Sequence, residues 1–317
     1  MLNMMLFLEL ISSLSNLEYL DLSYNGMLPS LPETIGKLSK LGTLDISYCY
    51  SLQKLPASIS EINNLKLHVH GCWQLESTLH QYKNSATVLP YFVVHTGDGE
   101  SSSNLSQLEY ENPTDLEKIQ LENVKSAEEA QRIKLAQKQR IQNLKLVWTG
   151  DAERFVDDKE VLKKVVPPNT LEYLTLQGYN SITYPPWIVD IAIYLPCLKE
   201  ITLSDFPNCD NLPQLGQLPN LEELWIERMD SIMKIDNSFY GGEVAFTRLK
   251  SFWLHHMKYL EEWNTEYSNG QDGLNEFAFP ILYFLSIQHC SKLRFKSFPP
   301  LGERMDITAS PGVLLSS

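Results

Sequence analysis

One pattern recurs along the chain and limits what the chain can fold into. The stretch LEYLDLSYN starts at Leu17 and nearly repeats as LGTLDISYC at Leu41, which is 24 residues later. The shared template is L-x-x-L-x-L, followed three positions later by Asn, Cys or an apolar residue. Copies of it start at Leu17, Leu41, Leu65, Leu116, Ile141, Leu171, Leu198, Leu221, Leu249 and Leu282. Such repeats fold by stacking on one another, because one repeat alone cannot bury its own apolar face.

The centre of each copy alternates apolar and polar residues with a period of two, which predicts a short strand with one buried face. Segments rich in proline and glycine turn the chain between copies. We therefore expect an α/β solenoid, a horseshoe whose concave face is a parallel sheet of about ten short strands spaced by roughly 4.8 Å. Residues 1–298 are expected to form this domain, with short regular repeats over 14–90 and longer irregular ones over 104–298. Residues 299–317 lose the pattern and are expected to form a disordered tail.

Other local signals refine this expectation. Ser126 and Glu129 have the spacing of a capping box, which predicts a helix at this point, and residues 157–166 read as a second helix ending at two prolines. Both helices are expected on the convex side. The copy at Leu65 is one residue short, which predicts a pinch or bulge in the sheet. Asn25 and the cysteines at its equivalent positions are expected to point inward and hold the turn after the strand.

Composition narrows the possible partners. The 39 acidic and 26 basic residues give a formal net charge of −13, which disfavours nucleic acid and anionic membranes as partners. No apolar run approaches the roughly 20 residues that span a bilayer. The five cysteines form no C-x-x-C pair, which is typical of free, buried thiols in a reducing compartment.

The alternation also predicts which side chains face the concave surface. Between the two core positions of each copy lie Asp21, Asp45, His68, Gln120, Lys145, Thr175, Thr202, Trp225, Trp253 and Ser286. Trp225 and Trp253 hold the same position in successive repeats, so we expect them to be neighbours. The candidate protein-binding residues on this face are Trp225, Trp253, Glu223, Glu227, Arg228, His255, His256, Lys145, Trp148 and Tyr173. Two interpretations stay open: a binding hot spot, or packing of both indole rings beneath C-terminal segments that fold back over the face.

No catalytic or cofactor-binding pattern is found in the sequence. His255 and His256 are adjacent and cannot face one metal from a strand, and no H-E-x-x-H or G-x-S-x-G motif occurs. We therefore expect neither enzymatic activity, nor a cofactor, nor a bound metal.

Two stretches, LENVKSAEEAQRIKLAQKQRIQNLKLVW at 121–148 and CDNLPQLGQLPNLEELWIERMDSIMKI at 209–235, carry a resemblance to a known family. The sequence resembles plant intracellular immune receptors, the nucleotide-binding leucine-rich-repeat (NLR) disease-resistance proteins with an N-terminal coiled coil, over about residues 14–298. The resemblance implies a protein-recognition and autoregulatory region that is cytoplasmic or nucleocytoplasmic. Its partners would be a pathogen effector or a guarded host protein, and the nucleotide-binding module of the intact receptor.

Departures from that family leave alternatives open. Neither the coiled coil nor a G-x-x-x-x-G-K-[ST] loop is present, so the chain is expected to be a fragment or a truncated product, and nucleotide binding is not carried over. One alternative is a truncated product that does not signal. Another is a leucine-rich-repeat adaptor of a ubiquitin ligase, although no F-box-like helical N-terminus is visible. A receptor ectodomain would favour G-x-I-P connections and many glycosylation sequons, but the sequence has one sequon, at Asn104.

Overall fold

The structure is a computed structural model that describes residues 2–63, 65–76, 86–89, 91–94, 103–109, 116–150, 152–242, 245–268, 275–297 and 304–311. The strands are β1 (Tyr19–Asp21), β2 (Thr43–Asp45), β3 (Leu65–His68), β4 (Ala86–Leu89), β5 (Tyr91–Val93), β6 (Leu116–Gln120), β7 (Asn143–Val147), β8 (Tyr173–Gln177), β9 (Glu200–Ser204), β10 (Glu223–Glu227), β11 (Lys234–Ile235), β12 (Ser251–His255), β13 (Glu262–Asn264), β14 (Glu266–Ser268), β15 (Asn275–Phe277), β16 (Phe284–Gln288), β17 (Arg294–Ser297) and β18 (Arg304–Thr308). The α-helices are α1 (Leu2–Ile11), α2 (Trp73–Glu76), α3 (Ala127–Arg132), α4 (Asp158–Lys164), α5 (Pro186–Val189), α6 (Ile191–Tyr194) and α7 (Asn237–Tyr240).

The main strands form two parallel sheets in chain order. The N-terminal sheet has the order β1-β2-β3-β4, and the large sheet has the order β5-β6-β7-β8-β9-β10-β12-β16-β18. Each repeat adds its strand beside the previous one, which is how a solenoid grows. All ten strands of the template form, and the predicted α/β leucine-rich-repeat solenoid with a parallel sheet is confirmed. A small sheet, β11-β13-β17, and the antiparallel pair β14-β15 lie in the connections between the strands of the large sheet.

Leucine burial explains why these strands stack. In β10, Leu224 and Ile226 are at most 1% exposed, whereas the residues between them are partly exposed. The same buried and accessible alternation occurs in β8 and β12. Buried leucines from successive repeats form one continuous apolar core along each sheet.

A residue with a left-handed backbone follows many strands, three residues after β1, β2 and β3 and directly after most strands of the large sheet. Its φ is positive in Tyr24, Tyr48, Gly71, Gly178, Asp205, Arg228, His256, His289 and Ala309. The backbone N–H of this residue still donates to the next strand, as in Asp205 to the Glu227 carbonyl at 3.1 Å and His256 to the Gln288 carbonyl at 2.8 Å. We call these positions the turn residues. They lie at the rim of the sheet, where the strands end.

Thiol and amide groups hold the turns that follow the strands, as predicted. The Asn25 amide donates to the Leu22 carbonyl at 2.8 Å. The Cys49 thiol donates to the same carbonyl at 3.2 Å, and Cys72 and Cys290 make the equivalent contact one repeat back, to Ile46 at 3.0 Å and Leu254 at 3.3 Å. These three cysteines and Cys209 are buried and unbridged, whereas Cys197 is exposed, contrary to the expectation that all five are buried.

Both predicted helices are present but short. The Ser126 hydroxyl accepts from the Glu129 N–H at 3.1 Å and starts α3, while the Glu129 carboxylate accepts from the Lys125 N–H at 3.0 Å. Lys134 has a positive φ, so α3 ends before it and a 3₁₀ turn follows. Asp157 caps α4 by accepting from the Lys159 N–H at 2.9 Å.

Two expectations about the sheet are wrong. Strand β3 pairs in regular register with β2, Leu67 opposite Leu44, so the missing residue shortens the segment before the strand and leaves the sheet undisturbed. The register shift occurs instead between β6 and β7, near Leu116 and Ile119. Within the expected tail, residues 304–308 form β18 and pair with β16, because Met305 and Ile307 pack on the core. Residues 299–303 and 312–317 lie outside the described residues.

Candidate functional site

Strand register arranges the side chains on the face of the large sheet opposite the leucine core in columns. One column runs Lys145, Thr175, Thr202, Trp225, Trp253, Ser286 and Asp306, each directly opposite the next. The preceding column, two residues earlier on each strand, runs Asn143, Tyr173, Glu200, Glu223, Ser251, Phe284 and Arg304. Because alternate residues of a strand share a face, both columns lie on the concave surface.

Trp225 and Trp253 form the centre of this surface. Their rings stack with centroids 3.9 Å apart and an interplanar angle of 7°. Both side chains are half-buried, and Phe284 lies 5.4 Å from Trp253. We call Trp225, Trp253 and Phe284 the aromatic platform. The predicted proximity of the two tryptophans is confirmed, and each ring keeps part of its surface open to solvent.

Histidine and serine support one side of the aromatic platform. The His255 ring lies edge-on to Trp225, with centroids 6.1 Å apart, and its Nε2 is 2.9 Å from the Ser286 hydroxyl. Burial lowers the pKa of His255. The imidazole is therefore held in its neutral form against the indole, where it widens the aromatic surface without adding charge.

Two carboxylates lie beside the aromatic platform. Glu200 and Glu223 are directly opposite each other on β9 and β10, and Glu223 precedes Trp225 by two residues on the same face. Burial, followed by the charge of Glu223, raises the pKa of Glu200. Within the part of the chain that the structure describes, neither carboxylate forms an ion pair or a side-chain hydrogen bond.

The turn residues form a separate, polar rim. Arg228 Nη2 donates to Asp205 Oδ2 at 3.1 Å, and the same guanidinium contacts the Glu227 carboxylate. His256 stacks on His289 with centroids 4.5 Å apart. The structure therefore places Arg228 and His256 at the rim and not around the tryptophans, because their left-handed backbone turns them away from the concave face.

Trp148 does not belong to the surface at all. It is 2% exposed, and its ring packs edge-on against Tyr179 at 5.9 Å in the core. No left-handed turn residue ends its strand. Trp148 therefore continues the alternation of Leu144 and Leu146, and its side chain points inward. The candidate assignment of Trp148 to the binding face is wrong.

The remaining candidates lie on the concave face but apart from the tryptophans. Lys145 is on β7 and Tyr173 on β8, three and two strands from β10, or about 14 and 10 Å at the usual strand spacing. Gln120 lies opposite Val147, and not opposite Lys145 as its template position predicted. The register shift between β6 and β7 moves it to the next column.

Sequence reasoning overlooked Glu200 and Phe284. Both belong to the column two residues before the tryptophans. Because alternate residues of a strand share a face, the repeat pattern would have placed them on the concave surface as well. From that column, only Tyr173 and Glu223 were named as candidates from the sequence.

The described residues hold no group of three or more His, Cys, Asp or Glu side chains arranged for a metal ion. In the same part of the chain, no helix is long and apolar enough to cross a membrane.

Family models and relatives agree with this architecture. A model described as R13L1/DRL21 LRRs matches residues 103–229, and a Leucine Rich Repeat model matches 16–38. The chain contains leucine-rich repeats that are similar to those of plant disease-resistance proteins. The resemblance to the NLR type inferred from the sequence is thereby confirmed. Leucine-rich repeats of these families are generally protein-interaction modules.

Three relatives illustrate the similarity. A putative disease resistance protein of Arabidopsis thaliana is 33% identical over 49% of this chain, which corresponds to 11% of the relative. A putative RPP13-like disease resistance protein of the same plant is 28% identical over 44% of this chain and 13% of the relative. The disease resistance protein RGA2 of Solanum bulbocastanum is 28% identical over 49% of this chain and 16% of the relative. The aligned part of the chain thus spans less than a fifth of each relative.

Proposed function

We propose that this chain is the protein-recognition and autoregulatory region of a plant intracellular immune receptor. The observation that carries the proposal is the half-buried Trp225–Trp253 stack on the concave parallel sheet. Large aromatic side chains that remain accessible are typical of residues that dominate protein–protein binding energy. The family relationship supports a role in disease resistance.

In the proposed mechanism, two proteins compete for the concave face. The nucleotide-binding module of the intact receptor occupies it at rest, and a pathogen effector or guarded host protein displaces that module. A coupling of about 1–3 kcal/mol between the two binding events is enough to shift the populations of resting and active receptor. The chain itself works in the cytoplasm by binding, without catalysis or cofactor.

Co-precipitation tests the proposal. The chain is expressed in plant cells with the nucleotide-binding module of a receptor of this type, as wild type and as Trp225→Ala/Trp253→Ala. The control is Ile193→Ala, which removes an exposed apolar side chain, 79% accessible, from α6. We expect the tryptophan variant to lose the module while circular dichroism shows an unchanged fold, and the control to retain it. Equal recovery of the module by all three chains would refute the proposed surface.

A further inference from the structure

The carboxylates of the concave face differ from those around it. At the edge of the same strands, Glu172 pairs with Lys199 at 2.8 Å, and Glu222 pairs with Lys250 at 2.7 Å. On the rim, Asp205 pairs with Arg228. Each of these acidic groups has a cation close by.

Glu200 and Glu223 instead face each other across neighbouring strands. Like charges directly opposite on adjacent strands destabilise a sheet. Partial burial adds to the repulsion, since both effects raise the pKa of Glu200. Within the described residues, no basic side chain is near enough to pair with either carboxylate. The fold thus keeps two negative charges together where a cation would stabilise both.

The aromatic platform lies directly beside these charges. Glu223 and Trp225 are two residues apart on one face of β10, and the stacked rings continue from Trp225 to Trp253 on β12. A π-face next to a carboxylate pair suits a planar cation. A guanidinium can stack on the indole through one face while its N–H groups bond a carboxylate in a bidentate manner. An ammonium group offers neither the plane nor the fork.

We infer that the concave face between β9 and β12 binds an arginine-bearing segment of a partner protein, with Glu200 and Glu223 pairing the guanidinium and the Trp225 indole stacking on it. This inference rests on the proposed function and specifies the chemistry of the partner. The formal net charge of −13 also favours a basic partner, because it attracts positive charge at long range.

A peptide titration tests the inference on the full chain. Hexa-arginine is titrated in about 0.15 M salt, where long-range attraction is screened, and binding is followed by quenching of tryptophan fluorescence and by calorimetry. The test variant is Glu200→Gln/Glu223→Gln. The matched control is Glu128→Gln/Glu153→Gln, which removes the same charge from two exposed positions, on α3 and in a connection. Hexa-lysine is the second ligand.

We expect hexa-arginine to bind at least about tenfold more weakly to Glu200→Gln/Glu223→Gln, since a charge-assisted pair contributes more than 1.4 kcal/mol. The control should stay within about twofold of wild type, and hexa-lysine should bind more weakly than hexa-arginine. Equal losses in the two double variants would mean that net charge alone attracts the peptide and would overturn the inference. Equal affinity for the two peptides would overturn the guanidinium assignment.

Failure here is distinguishable from failure of the proposed function. If Glu200→Gln/Glu223→Gln retains the protein that Trp225→Ala/Trp253→Ala loses in co-precipitation, the face recognises proteins but not through arginine. If the tryptophan variant also retains it, the proposed function fails.

Discussion

Replacing Gly178 by alanine tests how the repeats are fitted to one another. Gly178 is the turn residue after β8, with a φ of +78°, and a Cβ added there would lie 2.0 Å from the Trp148 carbonyl oxygen. The crowded atom belongs to the backbone, so no side-chain rotation can relieve the contact. Trp148 causes the close approach, because it continues its strand where other repeats turn.

The magnitude follows from two effects. An alanine in the left-handed region is disfavoured by about 1–2 kcal/mol relative to glycine. The backbone around Trp148 would also have to move away from the added Cβ to reach an ordinary contact distance. Such a displacement costs about 1–3 kcal/mol, as at other overpacked sites. We therefore expect Gly178→Ala to lower the free energy of unfolding by about 2–5 kcal/mol, a large part of the roughly 5–15 kcal/mol of a typical domain.

Urea unfolding followed by circular dichroism measures the global change, and hydrogen exchange locates it. The Trp148 N–H donates to the Gln177 carbonyl at 2.8 Å and the Gly178 N–H to the Ser204 carbonyl at 3.0 Å, so both amides should exchange faster in the variant. Gly150→Ala is the control, since nothing lies within 4 Å of its added Cβ. A Gly178→Ala chain within about 0.5 kcal/mol of wild type, with unchanged exchange, would refute the reasoning.

Three further predictions concern the core, the thiols and the concave charges. Leu224→Ala should destabilise the chain by about 2–5 kcal/mol in urea unfolding, because the side chain is fully buried; a loss below about 1 kcal/mol would contradict its core position. An aromatic disulfide reagent should rapidly modify only one thiol of the native chain, that of the exposed Cys197. The other thiols should react slowly because they are buried, and burial raises the pKa of Cys49, Cys209 and Cys290 to about 11. Rapid reaction of a second thiol would contradict this burial. Glu200→Gln should stabilise the chain at pH 7 by a few tenths to about 1 kcal/mol. The raised pKa means that ionised Glu200 destabilises the folded state relative to the unfolded state. The stability gained by Glu200→Gln should therefore disappear as the pH falls below about 4.5, where the carboxyl is protonated in both states. A stability gain that persists at lower pH would show that removal of the charge is not its cause.

The repeat pattern predicted the strands well because its apolar residues are two positions apart, which is the spacing that places side chains on one face of a strand. Leu224 and Ile226 are spaced so that a strand buries both, and the same spacing recurs at each template copy. Capping was predictable for a similar reason, since Ser126 and Asp157 bond backbone groups only a few residues away. Local chemistry of this kind is visible in a single sequence.

Features that depend on a neighbouring repeat were not predictable in the same way. Strands β4, β5 and β18 lack the leucine template and form because an existing edge offers them hydrogen bonds. The inward position of Trp148 depends on the absence of a left-handed turn residue, which no spacing rule reveals. Glu200 faces Glu223 and has no ion-pair partner among the described residues because of how β9 and β10 pair, and this register cannot be read from the spacing of one repeat.

Tryptophan quenching by ions tests the central claim, that the stacked indoles are accessible to solvent beside two carboxylates that pair with no cation among the described residues. Cesium and iodide ions quench fluorescence by collision. The difference between the quenching by the cation and by the anion reports the local charge around an accessible ring. The contribution of the pair is isolated by subtracting the signal of Trp225→Phe/Trp253→Phe, which retains the other four tryptophans. We predict that the subtracted signal is quenched more strongly by cesium than by iodide, and that Glu200→Gln/Glu223→Gln abolishes the difference. A subtracted signal that neither ion quenches would mean that the rings are covered, and would contradict the account.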